Sequence, residues 1–168
     1  TSGRLTGLTH SSGDQLTLGY NAQGRIQSVT DPNAPGTADD HVVTYTCDPS
    51  GEHLAGVLAP GDRQTLYTYV AAGSNAVLHA LQTVTYPDAR GIAFAYDDYG
   101  RLTRTEGNGG LNRTTFAYPA FGQIRVEDDA GVESVLRLDG LGRWAQVEQP
   151  GAASTARLQY NDSSLPTE

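Results

Sequence analysis

The chain has 168 residues, nineteen acidic against eleven basic, for a formal net charge of −8, and every one of the eleven bases is Arg. An acidic chain without a basic stripe excludes nucleic acid and an anionic membrane surface as expected partners, and no apolar run approaches membrane-spanning length. A single cysteine, Cys47, excludes an internal disulfide framework, while twenty Gly, nine Tyr and no long 3.6-residue periodicity point to strands and turns.

From the N-terminus, Gly3 is followed by Leu5 and Leu8, the return half of a hairpin. Leu18 and Tyr20 then alternate ahead of "NAQG" (21–24), and Ile26 and Val29 return. After an insertion at 32–40 come Tyr45 and Cys47, the turn "DPSG" (48–51), and Leu54 and Val57, displaced by one residue. Tyr67 and Tyr69 lead to Gly73 and an enlarged connection at 74–80, read as a loop in preference to the short helix that "SNAVLHALQ" (74–82) also permits; Leu81 and Val84 return. Residues 92–96 place large side chains at every second position, as a half-buried strand requires. Asp97-Asp98-Tyr99-Gly100 fits a type I turn closed by a left-handed Gly, with Asp97 as its cap. Leu102 and Thr105 return, and 107–110 turn again. Phe116 and Tyr118 precede "PAFG" (119–122), Leu136 and Leu138 precede "DGLG" (139–142), Trp144 and Val147 return, and Leu158 and Tyr160 open a further copy.

These elements share one register. The glycines Gly3, Gly24, Gly51, Gly73, Gly100, Gly122 and Gly142 follow one another at 21, 27, 22, 27, 22 and 20 residues. Four residues before an anchor stand Tyr20, Cys47, Tyr69, Tyr96, Tyr118 and Leu138, each two residues after an apolar or aromatic side chain. The next residue is Asn21, Asp48, Val70, Asp97, Pro119, Asp139 or, in the last copy, Asn161, so five of seven can cap a turn. A register kept across the whole chain is the mark of a repeat. The return residues lie three apart, which no regular strand puts on one face, so a bulge intervenes at a position the spacing does not fix. Period-two patterning in every unit predicts about a dozen short antiparallel strands in hairpin order.

"YNAQGRIQSVTDP", "YDDYGRLTRTEGNGG" and "LDGLGRWAQVEQPG" resemble the YD repeat of rearrangement-hotspot (Rhs) proteins, shared with toxin-complex C subunits and teneurins. The resemblance spans nearly all of the chain, which reads as a single array over 1–168, about seven partial or complete units with no second domain. Its motif positions are Tyr20, Gly24, Arg25, Cys47, Gly51, Tyr69, Tyr96, Asp97, Gly100, Arg101, Tyr118, Gly122, Asp139, Gly142 and Arg143. The sequence departs from the motif at Cys47, Leu138 and Val70, and at Glu52 and Gln123 in the Arg position. The resemblance implies an all-β, curved, spiralling antiparallel sheet, a section of a hollow shell. Such shells enclose a C-terminal toxin polypeptide or form a rigid extracellular scaffold, which implies a secreted or cell-surface protein without cofactor or catalysis. Neither the self-cleaving core segment of such shells nor a toxin domain is recognisable in these residues.

Each candidate site has a plainer reading. Asp97 and Asp98 could pair for acid–base chemistry, but the same slot recurs as Asn, Asp or Pro, which fits turn capping. Cys47 could act as a nucleophile with His41 or His53, each six residues away; in a Tyr slot on the packed face, a buried small hydrophobe fits better. His10, His41, His53 and His79 lack zinc-finger spacing. Asp31, Asn33, Asp39 and Asp40 are a weak calcium candidate that matches no defined calcium loop. Asn112 and Asn161 head glycosylation sequons. Arg4, Arg25, Arg101 and Arg143 are expected to pair with turn carboxylates of adjacent hairpins. Two function classes follow: a non-catalytic shell section whose partners are neighbouring repeats and an enclosed toxin, or an adhesin-like module binding surface glycan or protein through exposed Tyr, Trp144 and Asp. Without Met, and beginning and ending partway through hairpins, the chain reads as a section of a longer protein. Its open edge strands predict self-association in isolation.

Overall fold

Alternation of large and small side chains produces strands with one apolar and one polar face, and short Asp- or Asn-led turns join them. The computed structural model describes residues 3–32, 41–151, 155–160 and 166–167, and it is built this way throughout. It divides into two compact units, Thr1–Gly91 and Ile92–Glu168.

The first unit holds β1 (Gly7–Thr9), β2 (Gln15–Tyr20), β3 (Ile26–Thr30), β4 (Val42–Cys47), β5 (Leu54–Ala59), β6 (Arg63–Tyr69) and β7 (Leu81–Thr85). Each strand pairs antiparallel with the next in chain order. In the second unit β8 (Gly91–Tyr96, whose first residue belongs to the first unit), β9 (Leu102–Gly107), β10 (Thr114–Ala117), β11 (Gln123–Glu127), β12 (Glu133–Leu138), β13 (Trp144–Glu148) and β14 (Thr155–Arg157) do the same. A short separate pair, β15 (Gln159–Tyr160) and β16 (Pro166–Thr167), follows. Among the described residues the longest helical element is a three-residue 3₁₀ turn, Asn108–Gly110, and no helix is long and apolar enough to cross a membrane. Residues 70–80 form the expected enlarged loop, with turns at 74–78 and no helix.

The expected bulge now has an address. Tyr96 faces Leu102 while Ala95 faces Arg104, so Thr103 is the extra residue. The same shift leaves Gln27, Ala55, Gln82 and Ala145 over, always at the second position of the return strand. One extra residue brings side chains three apart onto one face, as for Leu102 and Thr105. The β10–β11 hairpin keeps an unshifted register; there Pro119 replaces the capping Asp and "YPAFG" turns differently.

Register and alternation sort the side chains. One face of the first unit carries Leu18, Val29, Val43, Tyr45, Val57, Tyr67 and Val84, and the other is rich in Thr, including a 2.6 Å hydroxyl pair between Thr68 and Thr83. In the second unit Phe94, Phe116, Val126, Leu136 and Val147 share one face; the opposite face carries the ion pairs Arg104–Glu106, Arg125–Glu133 and Arg137–Glu148. Burial is shallow. Among the described apolar residues only Val84 and Leu136 are buried, at 9% and 8% exposure. Stability in such a sheet rests on strand ladders and on contacts between neighbouring hairpins, with little contribution from a packed core.

Candidate functional site

The chemistry of the chain is concentrated at the tight turns, and it builds one recurring joint. At Asp97–Gly100 the Gly100 N–H donates to the Asp97 carbonyl at 2.9 Å, and the Asp97 N–H donates to the Arg101 carbonyl at 2.9 Å. Asp97 Oδ1 accepts from the backbone N–H groups of Tyr99 and Arg101 at 3.0 and 2.9 Å, while Oδ2 accepts from Arg101 Nε at 2.7 Å. Burial opposes ionisation of Asp97, yet these hydrogen bonds from Arg101 and Tyr99 hold its carboxyl below the usual carboxylate range. Asp139 repeats the arrangement with Leu141 and Arg143, and its carboxyl is lowered first by the Arg143 backbone N–H and then by the guanidinium. Gly24, Gly51, Gly100, Gly122 and Gly142 close their turns at φ of 80°, 74°, 80°, 69° and 77°. At Gly24 a side chain has a second obstacle, since a Cβ there would overlap the Arg4 guanidinium.

Each joint reaches the next hairpin. The Tyr118 phenol donates to the Leu102 carbonyl at 2.8 Å, and the Arg101 guanidinium lies 4.4 Å from the centre of the Tyr118 ring. Tyr160 repeats both contacts with Trp144 and Arg143 at 2.7 and 4.3 Å, and Tyr20 with Leu5 and Arg4 at 2.6 and 5.5 Å. Tyr69 donates to the Leu54 carbonyl at 3.0 Å; burial, then the Tyr67 and Asp48 charges, raise its phenol pKa and keep it a neutral donor. Arg101 and Arg143, expected to pair with carboxylates of adjacent hairpins, pair within their own turns, because i+4 across a four-residue turn brings the fork back to its cap, while the guanidinium lies over the next tyrosine.

The β4–β5 joint differs. Glu52 was expected in the Arg position, but the one-residue slip makes it an extra turn residue: the Asp48 N–H donates to the His53 carbonyl at 2.9 Å, the bond that Arg101 makes elsewhere. His53 thus stands where Arg stands, with its ring centre 4.5 Å from that of Tyr69. Its Nδ1 lies 2.9 Å from Asp48 Oδ2, and its Nε2 lies 2.9 Å from Nδ1 of His79. The hydrogen bond from His53, ahead of those from Ser50 and the turn backbone, drives the Asp48 carboxyl well below its ordinary value. With both nitrogens so engaged, His53, one of the two histidines considered from sequence, has none left for Cys47. Gly73 is corrected too. Its φ is 149°, and the left-handed closing position of that loop belongs to His79, at φ 70°. Val70 N–H donates to the Ala80 carbonyl there, as Asp97 does to Arg101.

Cys47 occupies the Tyr slot but is half-buried, against the expected burial. A thiol does not fill the space of a phenol ring, and a depression of about 190 Å³ opens beside it, lined by Gln23, Gln27, Cys47, Asp48 and Gly51 among others. Tyr96 sits in its slot, half-buried, with burial raising its phenol pKa. Of the calcium candidates, Asp31 lies beyond the end of β3, its N–H donating to the His41 carbonyl at 3.1 Å, while Asn33, Asp39 and Asp40 lie outside the described residues. Asn112 is exposed in the β9–β10 connection at φ 51°, and Asn161 lies outside the described residues. The Asp48–His53–His79 chain escaped sequence reasoning. Its signal was present: both hairpins lack the motif Arg, and each carries His beside the place where Arg or Gly belongs.

Residues 1–35 match the family model described as RHS Repeat. No curated protein matches the chain significantly. Among solved structures, the chain superposes on crystal structures of TcdB2-TccC3-Cdc42 and TcdB2-TccC3-TEV, each with a TM-score of 0.50 and 15% identity over 98% of this chain. A Photorhabdus luminescens Tc holotoxin pore, carrying a TccC3 mutation, is similar at 16% identity and a TM-score of 0.50, also over 98% of this chain. The chain spans only about a tenth of these structures, 11%, 11% and 10% of their lengths. The family match and the shared fold support an Rhs/YD-repeat relationship.

Proposed function

We infer that this chain is a non-catalytic section of an Rhs-type shell, in which the same joint fastens each hairpin to the next and residues 1–168 form one array. The observation that carries this reading is the use made of the tyrosines. Tyr20, Tyr69, Tyr118 and Tyr160 each donate the phenol to a carbonyl of the preceding hairpin, 15 or 16 residues back. Side chains committed to holding neighbours together are building material, and the same joint in both units supports one array. The half-exposed apolar face suits a partner layer, either further repeats of a longer parent or a polypeptide enclosed by it. By the resemblance, that polypeptide is a C-terminal toxin, or the shell is an extracellular scaffold, and the protein is secreted or surface-bound.

Glycan binding needs aromatic rings free to stack on a sugar. Trp144 is 54% exposed, but Tyr20, Tyr118 and Tyr160 lie under Arg and Tyr69 lies against His53, which favours the structural reading. Limited proteolysis of the full-length parent tests it. A C-terminal segment resistant to protease in the intact protein, and cleaved once Tyr118 and Tyr69 are both changed to Ala, supports the enclosing shell. A C-terminal segment equally sensitive in both proteins overturns enclosure.

A further inference from the structure

The β4–β5 turn and the β6–β7 loop bring together three metal-ligating side chains that no repeat motif requires. Donor atoms of Glu52, His53 and His79 all lie within 4.8 Å of one another. His53 Nε2 and His79 Nδ1 are 2.9 Å apart, and Glu52 Oε2 is 3.9 Å from the same His79 nitrogen. We propose that Glu52, His53 and His79 form a binding site for a divalent transition-metal ion of the zinc class, which clamps the β4–β5 hairpin to the β6–β7 loop.

Three features make this more than a chance grouping of surface residues. The first is the tautomer. Asp48 Oδ2 accepts from His53 Nδ1 at 2.9 Å, which leaves the Nε2 lone pair directed at His79. A carboxylate that orients an imidazole from behind is the usual support of a histidine metal ligand. The second is the position of His79, a non-glycine residue at φ 70°, where the other joints use Gly. A side chain kept in a left-handed conformation costs free energy, and such strain concentrates at functional positions. The third is the local charge pattern. Joints built on Arg101 and Arg143 set a guanidinium over the next tyrosine; here the His53 imidazole covers Tyr69, with Asp48 and Glu52 beside it. A bound cation would place a metal charge where the other joints carry Arg.

The geometry needs only a small adjustment. Zinc–nitrogen bonds of about 2.0–2.1 Å at a tetrahedral angle put two imidazole nitrogens about 3.3 Å apart. The mostly exposed His79 ring reaches that separation by a side-chain rotation. Metal binding uses the lone pairs of both facing nitrogens, so in the bound form His79 carries its ring proton on Nε2. Glu52 supplies an oxygen and water completes the shell, a donor set of imidazole and carboxylate that suits zinc, nickel or copper better than calcium or magnesium.

The test is calorimetric titration of the 168-residue chain with zinc chloride, with thermal melts in zinc, magnesium and EDTA and the visible spectrum of the cobalt-loaded chain. The expected result is one zinc per chain, a melting temperature raised by zinc and not by magnesium, and cobalt absorption bands of a low-coordinate site. His79→Gly removes a ligand while easing the backbone, so it should abolish the zinc response without lowering the melting temperature in EDTA. Glu52→Gln, at an exposed position, should weaken zinc, and Asp48→Asn should weaken it roughly 10–100-fold by disturbing the tautomer. Absence of zinc binding by the unaltered chain, or zinc binding undiminished in both His79→Gly and Glu52→Gln, overturns the proposal.

Discussion

The Tyr118 phenol and the Leu102 carbonyl are 16 residues apart in sequence and 2.8 Å apart in space, a hydrogen bond that joins one hairpin to the next. Around it Arg101 contributes twice, through the ion pair with Asp97 and the stack on the Tyr118 ring. Tyr118→Phe removes the bond and keeps the ring. It should cost about 1 kcal/mol, the usual net value of one hydrogen bond, and Tyr118→Ala should cost more because the stack and buried area go as well. Urea unfolding of the two variants measures this; a Phe variant as stable as the parent would show that the bond contributes nothing.

That joint also marks how far sequence reasoning reached. Period two in residues 92–96, the Asp97 cap and Gly100 were legible because each is a local property of a few neighbouring residues. The repeat was legible because the same local solution recurs at Gly24 and Gly142. Partners across hairpins were not. Arg101 could pair with any nearby carboxylate in sequence terms, and only the turn geometry returns it to Asp97. The extra residue in front of His53, visible as the displacement of Leu54, was read as a slip in pattern; its consequence, a histidine in the arginine place, depends on which carbonyl closes the turn. Burial was overestimated at Cys47 because a packed face was assumed, whereas a single-layer sheet leaves that face half-exposed.

The left-handed closure at Gly100, φ 80°, gives a second expectation. Gly100→Val forces a β-branched residue into that region and should destabilise the chain by about 1–2 kcal/mol. His79→Gly, at φ 70° in the metal-free chain, works in the opposite sense. Melting temperatures of the pair decide it: no loss for Gly100→Val would mean that the turn switches type at little cost.

The lowered carboxyls set the acid limb of stability. Asp97 and Asp139 have folded-state pKa values below the ordinary one, so folding favours their ionised forms. Their contribution is complete above the unfolded-state value near pH 4 and is lost as pH falls through the lower folded values. Thermal melts from about pH 6 down to pH 2 should therefore fall steeply only below about pH 4. The double variant Asp97→Asn, Asp139→Asn should be less stable at neutral pH and show a flatter acid limb. An unchanged limb in that variant would assign acid sensitivity to other groups.

Cys47 offers the opposite experiment, in which the repeat is completed instead of broken. Its neighbours are those of a tyrosine slot: the register shift of β4 against β5 places it opposite Leu54, as Tyr96 is placed opposite Leu102. By the repeat register Arg25 and Ile26 of the hairpin before it are the counterparts of Arg101 and Leu102, and the depression beside the thiol is lined by Gln23 and Gln27 of that hairpin. Cys47→Tyr should fill the depression, donate its phenol to the Ile26 carbonyl and lie under the Arg25 guanidinium. A gain of about 1 kcal/mol is expected from the hydrogen bond, with more from the stack and the filled volume. Cys47→Phe separates these contributions, since it fills the space without a donor and should recover only part of the gain. Equilibrium unfolding in urea ranks the three chains as Tyr above Phe above Cys. If the tyrosine variant is less stable than the parent, the depression does not have the shape of a missing ring, and the β4–β5 joint departs from the repeat in more than one side chain.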